Sequence, residues 1–301
     1  MGRWRLSRRK LLFLFLSVLC TSLLLFLHLP SSPHHFSFSQ SSSLCLSRLH
    51  RISWTYSPSP SWSWDKSENC HFRRFSGKHA SELLRGAWIL AAGDSQARLV
   101  VLALLRLLLD PTEVSTVEPD LFRRHSDYQI TLPDRGIKVD FIWAPYESNI
   151  TWLLRDIRQT RRCPDLLILG SGLWHMLHIT NPSLYGTALA EIKQEAVSLL
   201  ELSGSLHPHM FWLGLPKLVN SKLNTQEKKE KMTSNMLEAY DKEVIWRGLS
   251  KGSGGTFMLL DIGLLTRGCG PLCTIDGMHY DGAVYDAAVN IMLNSMLIES
   301  Q

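Results

Sequence analysis

The sequence predicts a three-layer α/β/α domain built on about five parallel strands, and three observations predict it. Short apolar runs with β-branched or aromatic content recur at residues 87–92, 139–143, 166–169, 210–215 and 257–260. Longer helix-compatible stretches lie among them, at residues 98–109, 183–202, 225–246 and 282–298. Strands alternating with helices imply parallel pairing through right-handed crossovers. Finally, 301 residues at 45% hydrophobic and 20% charged suit one full-sized core with an appendage, and they exclude a disordered polar tract and a polytopic transporter.

Taken in order, Ala87-Trp88-Ile89-Leu90-Ala91-Ala92 ends at Gly93, and near-continuous Leu and Val follow over residues 98–109, giving a buried strand, a turn and a buried helix. The lysine-rich segment 227–231 lies within a helical stretch and reads as a solvated face. In an open sheet of this kind ligands bind beyond the carboxyl ends of the strands. The residues after Ala92, Trp143, Leu169, Leu215 and Leu260 are therefore where chemistry is expected.

The N-terminal quarter has another character. Residues 1–10 are a basic tail, residues 11–27 carry no charge, and the apolar stretch extends to residue 29 if His28 is interfacial. That length suits a spanning helix better than the shorter apolar core of a cleaved signal, so residues 11–29 are expected to be a signal-anchor transmembrane helix with the remainder lumenal. Residues 30–69, rich in Ser, Pro and His, read as a flexible stem, although Trp54, Trp62 and Trp64 suggest some packing against the domain that begins at residue 70. The formal charge of +5 comes from seven Lys and Arg without any Asp or Glu in residues 1–51, which leaves the rest at −2 and gives no nucleic-acid footprint. Asn149-Ile150-Thr151 is a glycosylation sequon, useful only in the secretory pathway. Six cysteines show no zinc-site spacing; Cys269 and Cys273 are spaced to bridge a tight loop, and the pairing stays open.

Two motifs carry chemistry. Gly93-Asp94-Ser95 places a hydroxyl at a strand's carboxyl end beside a helix N-terminus, whose N–H groups and dipole stabilise a developing oxyanion. Asp276-Gly277-Met278-His279 comes after the last strand, at a spacing that lets a carboxylate orient an imidazole to take the serine proton. Each motif is short enough to arise by chance, and their joint placement on one sheet edge gives them weight. His175 and His178 have helical spacing without a third metal ligand nearby, so structural roles are expected.

These residues resemble the SGNH/GDSL hydrolase superfamily and, more narrowly, its PC-esterase branch, which includes the trichome-birefringence-like polysaccharide O-acetyltransferases and the catalytic domain of sialate O-acetyltransferase. The resemblance extends to Pro164-Asp165-Leu166-Leu167-Ile168-Leu169-Gly170-Ser171-Gly172-Leu173-Trp174, similar to the block where that branch has Gly-x-Trp. It implies a flavodoxin-like fold with Ser95 as nucleophile, His279 as base and Asp276 as its orienter. Asp94, Gly172 and Trp174 would support the turns around the oxyanion, whose donors would be the Ser95 N–H and groups in residues 170–174. The wider superfamily has Gly-x-Asn in this block, and Trp174 stands where the Asn would fall, so the usual side-chain amide donor is missing.

The expected function is acyl chemistry, most simply acetyl transfer, on a carbohydrate hydroxyl in the Golgi lumen by a single-pass type II membrane protein. No bound cofactor or metal is implied; acetyl-CoA or an acetylated intermediate would be co-substrate. Hydrolysis would use the same residues. A non-catalytic glycan-binding or scaffold protein on the same fold would predict damage to the motifs, and a secreted esterase would predict cleavage near Pro30.

Overall fold

Residues 40–65, 70–202 and 207–300 are described by the computed structural model, and their strands fall into two sheets. Strands β1 (Ile52–Thr55) and β2 (Ser61–Trp64) form an antiparallel hairpin. The main sheet holds β3 (Trp88–Gly93), β4 (Tyr128–Leu132), β5 (Ile137–Trp143), β6 (Leu166–Gly170), β7 (His209–Leu213) and β8 (Met258–Leu260), in the order β4-β5-β3-β6-β7-β8. Every pairing from β5 to β8 is parallel, so the five expected strands form the expected sheet.

The sixth strand, β4, is antiparallel to β5. Its Tyr-Gln-Ile-Thr-Leu alternation buries one side only, as suits a sheet edge, and so it lacks the continuous apolar run of its neighbours. The short turn Pro133–Arg135 and Gly136, at φ +65°, reverse the chain into β5.

Alternation along the parallel strands divides the core in two. Ile89, Ala91, Val139, Phe141 and Ile168 face the helices Ser95–Leu108 and Gly282–Glu299. Leu90, Ala92, Leu167, Leu169 and Trp212 face the helices Glu147–Thr160 and Pro182–Leu202. Each fully buried Leu or Ile stabilises this sandwich by roughly 1.5–3 kcal/mol. The stretch expected as one helix over residues 225–246 is two, Gln226–Lys231 and Ser234–Trp246, because the Thr233 hydroxyl accepts from Met236 N–H and starts a new helix.

The largest departure lies in residues 40–65, which were assigned to the stem. They form a helix, Gln40–Arg48, and the β1–β2 hairpin, both packed on the domain. Trp62 is buried and its indole N–H donates to Asp286, while Trp64 donates to the Leu49 carbonyl. Trp54 fills the space that a side chain at Gly268 would need. A disulfide between Cys45 and Cys70 ties the segment down. Three indoles outweigh the polar composition between them, and the folded unit extends from residue 41. The basic tail, the expected spanning helix at 11–29 and the first part of the stem lie outside the described residues. Among the described residues no helix is long and apolar enough to cross a membrane.

Candidate active site

The site begins with how closely two strand ends approach one another. Gly93 ends β3 opposite Gly170 of β6, and a Cβ on Gly93 would lie 2.4 Å from the Gly170 carbonyl oxygen. Only glycine permits that approach. Asp94 then caps the helix Ser95–Leu108, its carboxylate accepting from Gln96 N–H at 2.9 Å. Ser95 is thereby fixed as the first helical residue, at the positive end of the helix dipole. Burial pushes the Asp94 carboxyl up to about 6, against the pull of the Gln96 N–H and of His279.

The partner loop is a tight turn stabilised from several directions. Asp276 Oδ1 accepts the N–H groups of Met278 (3.1 Å) and His279 (2.8 Å). Gly277 between them has φ +83°, and a Cβ there would meet the Val219 carbonyl at 2.5 Å. Thr274 Oγ1 donates to the His279 carbonyl at 2.6 Å and accepts from Gly277 N–H at 3.0 Å. Lys222 Nζ donates to the carbonyls of Pro271 and Thr274, and a Cys269–Cys273 disulfide braces the loop's entry.

The two segments meet in a hydrogen-bonded row. His279 Nε2 lies 2.7 Å from Ser95 Oγ, and His279 Nδ1 lies 2.6 Å from Asp276 Oδ2. An ionised carboxylate only accepts, so Nδ1 carries the imidazole proton and Nε2 is left to accept from the serine hydroxyl. Burial works against the Asp276 charge, but the backbone and ring N–H groups of His279 and the N–H of Met278 outweigh it and hold the carboxyl below its ordinary value. The imidazole and the Asp276 side chain are both about one-third exposed, at 36% and 38%, so the row opens to solvent on one side.

Gln96 ties the halves together and was not singled out in the sequence. Its Nε2 donates to the Met278 carbonyl at 2.9 Å and its Oε1 accepts from Tyr285 O–H at 2.8 Å, so one side chain joins the serine's helix, the histidine's loop and the terminal helix. Its position directly after Ser95 was the available signal. Glu147 was also missed, although it lies just past the end of β5, where chemistry was expected. It is buried near Ser171, and burial raises its carboxyl to about 7 while the Ser171 hydroxyl draws it down and Asp94 adds repulsion.

The third block divides its roles. Gly172 has φ +126°, and a Cβ there would press on Leu215 and the Tyr185 hydroxyl, which donates to the Ser171 carbonyl. This supports the expected turn. The Trp174 ring packs against Trp143, His125, Tyr146 and His178. His175 is buried against the Tyr240 hydroxyl at 2.7 Å, a structural contact, while His178 is exposed beside Trp174. Asn149 lies in the first turn of its helix, exposed, with its amide oxygen accepting from Tyr146 N–H.

An α/β/α sheet carrying a serine, a histidine and an aspartate in a row on its carboxyl edge defines the SGNH class of fold and site. No protein-family model matches the chain. It is 40% identical to Protein ALTERED XYLOGLUCAN 9 of Arabidopsis thaliana over a 344-residue alignment spanning 100% of this chain and 93% of that protein. The chain belongs to that protein's family, the trichome-birefringence-like proteins in the PC-esterase branch of the SGNH hydrolases. Among solved structures it is similar to TesA, with 16% identity, a TM-score of 0.38 and coverage of 70% of this chain and 97% of that one. It is also similar to LAE5, an alpha/beta hydrolase enzyme from the metagenome of Lake Arreo, Spain, with 13% identity, a TM-score of 0.41 and coverage of 75% and 98%.

Proposed function

We propose that the protein is a serine-dependent O-acyltransferase that moves an acetyl group onto a carbohydrate hydroxyl. The observation that carries this reading is the Ser95–His279–Asp276 row, with the imidazole lone pair directed at the serine hydroxyl. Ser95 Oγ attacks the carbonyl carbon of the acyl donor as its proton passes to His279 Nε2. The oxyanion so formed lies near the Ser95 N–H and the turn at residues 170–174. Collapse breaks the bond to the leaving group, which takes the proton from His279, and an acyl-serine remains. A sugar hydroxyl then attacks it, giving its proton to His279, and collapse returns that proton to Ser95 Oγ. Asp276 holds the imidazole tautomer throughout and stabilises its charged form. The donor is acetyl-CoA or an acetylated intermediate, and no metal or bound cofactor is needed for any step.

The carbohydrate acceptor is supported by family membership and by the relative named for altered xyloglucan. Transfer and hydrolysis differ only in whether sugar or water resolves the acyl-serine. The basic and apolar N-terminus, the Asn149 sequon and two disulfides fit a domain held in the Golgi lumen by a type II anchor.

The test is fluorophosphonate labelling of the purified full chain. Removing residues 40–65 would take away the buried Trp62 and the Cys45–Cys70 disulfide, so a shorter domain is unsuitable. Labelling is expected in the wild type and lost in Ser95→Ala and His279→Gln. A folded wild type that does not label removes the acyl-serine reading.

A further inference from the structure

Beside the serine row lies a group of rings that the mechanism does not use. Trp143 ends β5, whose register partner at that point is Gly93, so one indole leaves the strand end next to that of Ser95. On the other flank Gly93 pairs with Gly170, and that strand end leads into Trp174. The two indoles therefore rise on either side of the serine's strand and meet at 5.7 Å between centroids, at 83°.

His125 completes the arrangement from the segment preceding β4. Its ring stacks on Trp143 at 4.9 Å and 20°, while the Arg98 guanidinium, one turn beyond Ser95 on the same helix, lies 4.8 Å from the centre of that indole. Trp143 is thus clamped, and Trp174 stands at 81° to the His125 ring, so that the two form the walls of a corner. His125 is exposed and Trp174 half-buried. His125 also has φ +53°, a backbone conformation uncommon for residues other than glycine, yet its ring is turned onto Trp143.

We propose that the corner formed by His125 and Trp174 over Trp143 is the platform on which a neutral pyranose ring of the acceptor lies as its hydroxyl reaches Ser95. This rests on the carbohydrate reading above. The C–H face of a β-linked pyranose is apolar and flat enough to lie on an aromatic ring, while its equatorial hydroxyls point outward to the rim. At that rim the exposed Asp127 carboxylate accepts the Trp143 backbone N–H at 2.8 Å and supplies acceptor oxygens. Rings on two walls also fix the direction of the sugar, which selects the hydroxyl presented to the acyl-serine.

The experiment titrates the full chain with a xyloglucan heptasaccharide, with cellotetraose and with coenzyme A, reading tryptophan fluorescence and calorimetric heat. Saturable oligosaccharide binding is expected, weakened about tenfold by Trp174→Ala and by His125→Asn. The asparagine keeps the left-handed backbone accessible, so this variant removes the ring without forcing the loop to refold. Trp152→Ala, which removes an indole 75% exposed on another helix, should bind as wild type does. Oligosaccharide affinity unchanged in both platform variants, no saturable oligosaccharide binding by wild type, or ring-dependent binding of coenzyme A alone would overturn the platform. Fluorophosphonate labelling run in parallel separates the two claims. A labelled serine without oligosaccharide binding removes the platform only, and ring-dependent binding without labelling removes the acyl-serine and leaves the platform standing.

Discussion

The serine row and the aromatic corner share one sheet edge and are held by different forces. Ser95, His279 and Asp276 are fixed by directional hydrogen bonds, each anchored in a backbone turn that has few alternatives. Trp143, Trp174 and His125 meet through ring contacts at 4.9–5.7 Å, which fix distance more strictly than direction. Proton transfer needs the first kind of precision, since a small misplacement of the imidazole uncouples it from the hydroxyl. A sugar on the proposed platform would be directed by the two walls together rather than by any single contact. Asp94, buried, caps the serine's helix, and the Glu147 carboxyl is buried near Ser171.

The largest effects should break the row alone. Ser95→Ala and His279→Gln should each lower turnover by roughly 10⁵- to 10⁶-fold while the melting temperature stays near that of wild type. Undiminished turnover in either folded variant would show that another group does the work. Asp276→Asn should cost about 10⁴-fold, because the amide favours the wrong imidazole tautomer. A loss of tenfold or less would mean that the turn, rather than the carboxylate, orients the ring.

Glu147 tests what burying a carboxyl near Ser171 costs the fold. Its carboxyl is raised from 4.5 to about 7 in the fold, so the native state holds a proton that the unfolded chain has released between those values. Stability must therefore fall as pH rises from about 4.5 to about 7. Glu147→Gln should raise stability at pH 8 by up to roughly 3 kcal/mol and give no gain near pH 4.5. Thermal melts across that range would show the difference, and a gain independent of pH would rule out the burial penalty.

The smallest predicted effect isolates the turn. Gly277→Ala places a methyl against the Val219 carbonyl at a left-handed position, costing about 1–3 kcal/mol and loosening the His279 loop. The melting temperature should drop by several degrees, with a larger proportional loss in kcat than in sugar affinity. An equal loss in both would tie the corner to the same loop and end the distinction drawn above.

The site was legible in the sequence to the extent that it is local. Asp94 as cap, Ser95 as first helical residue and the three-residue spacing from Asp276 to His279 are each written within a few positions, and the short apolar runs of β3, β5, β6, β7 and β8, with helical stretches among them, gave the sheet. The edge strand β4 was missed because it is buried on one side only. Residues 40–65 were misread because serine and proline dominate their composition, whereas Trp62 and its bond to Asp286 decide their fate.

By itself, then, the chain determined its turns, its caps and its succession of strands and helices, because these depend on backbone sterics and on neighbours a few residues away. The 2.7 Å contact between Ser95 and His279 spans 184 positions, and the corner joins three distant segments. Apolar burial favours enclosure without specifying which ring meets which, so only the assembled sheet, with Gly93 against Gly170 and beside Trp143, decided those partners.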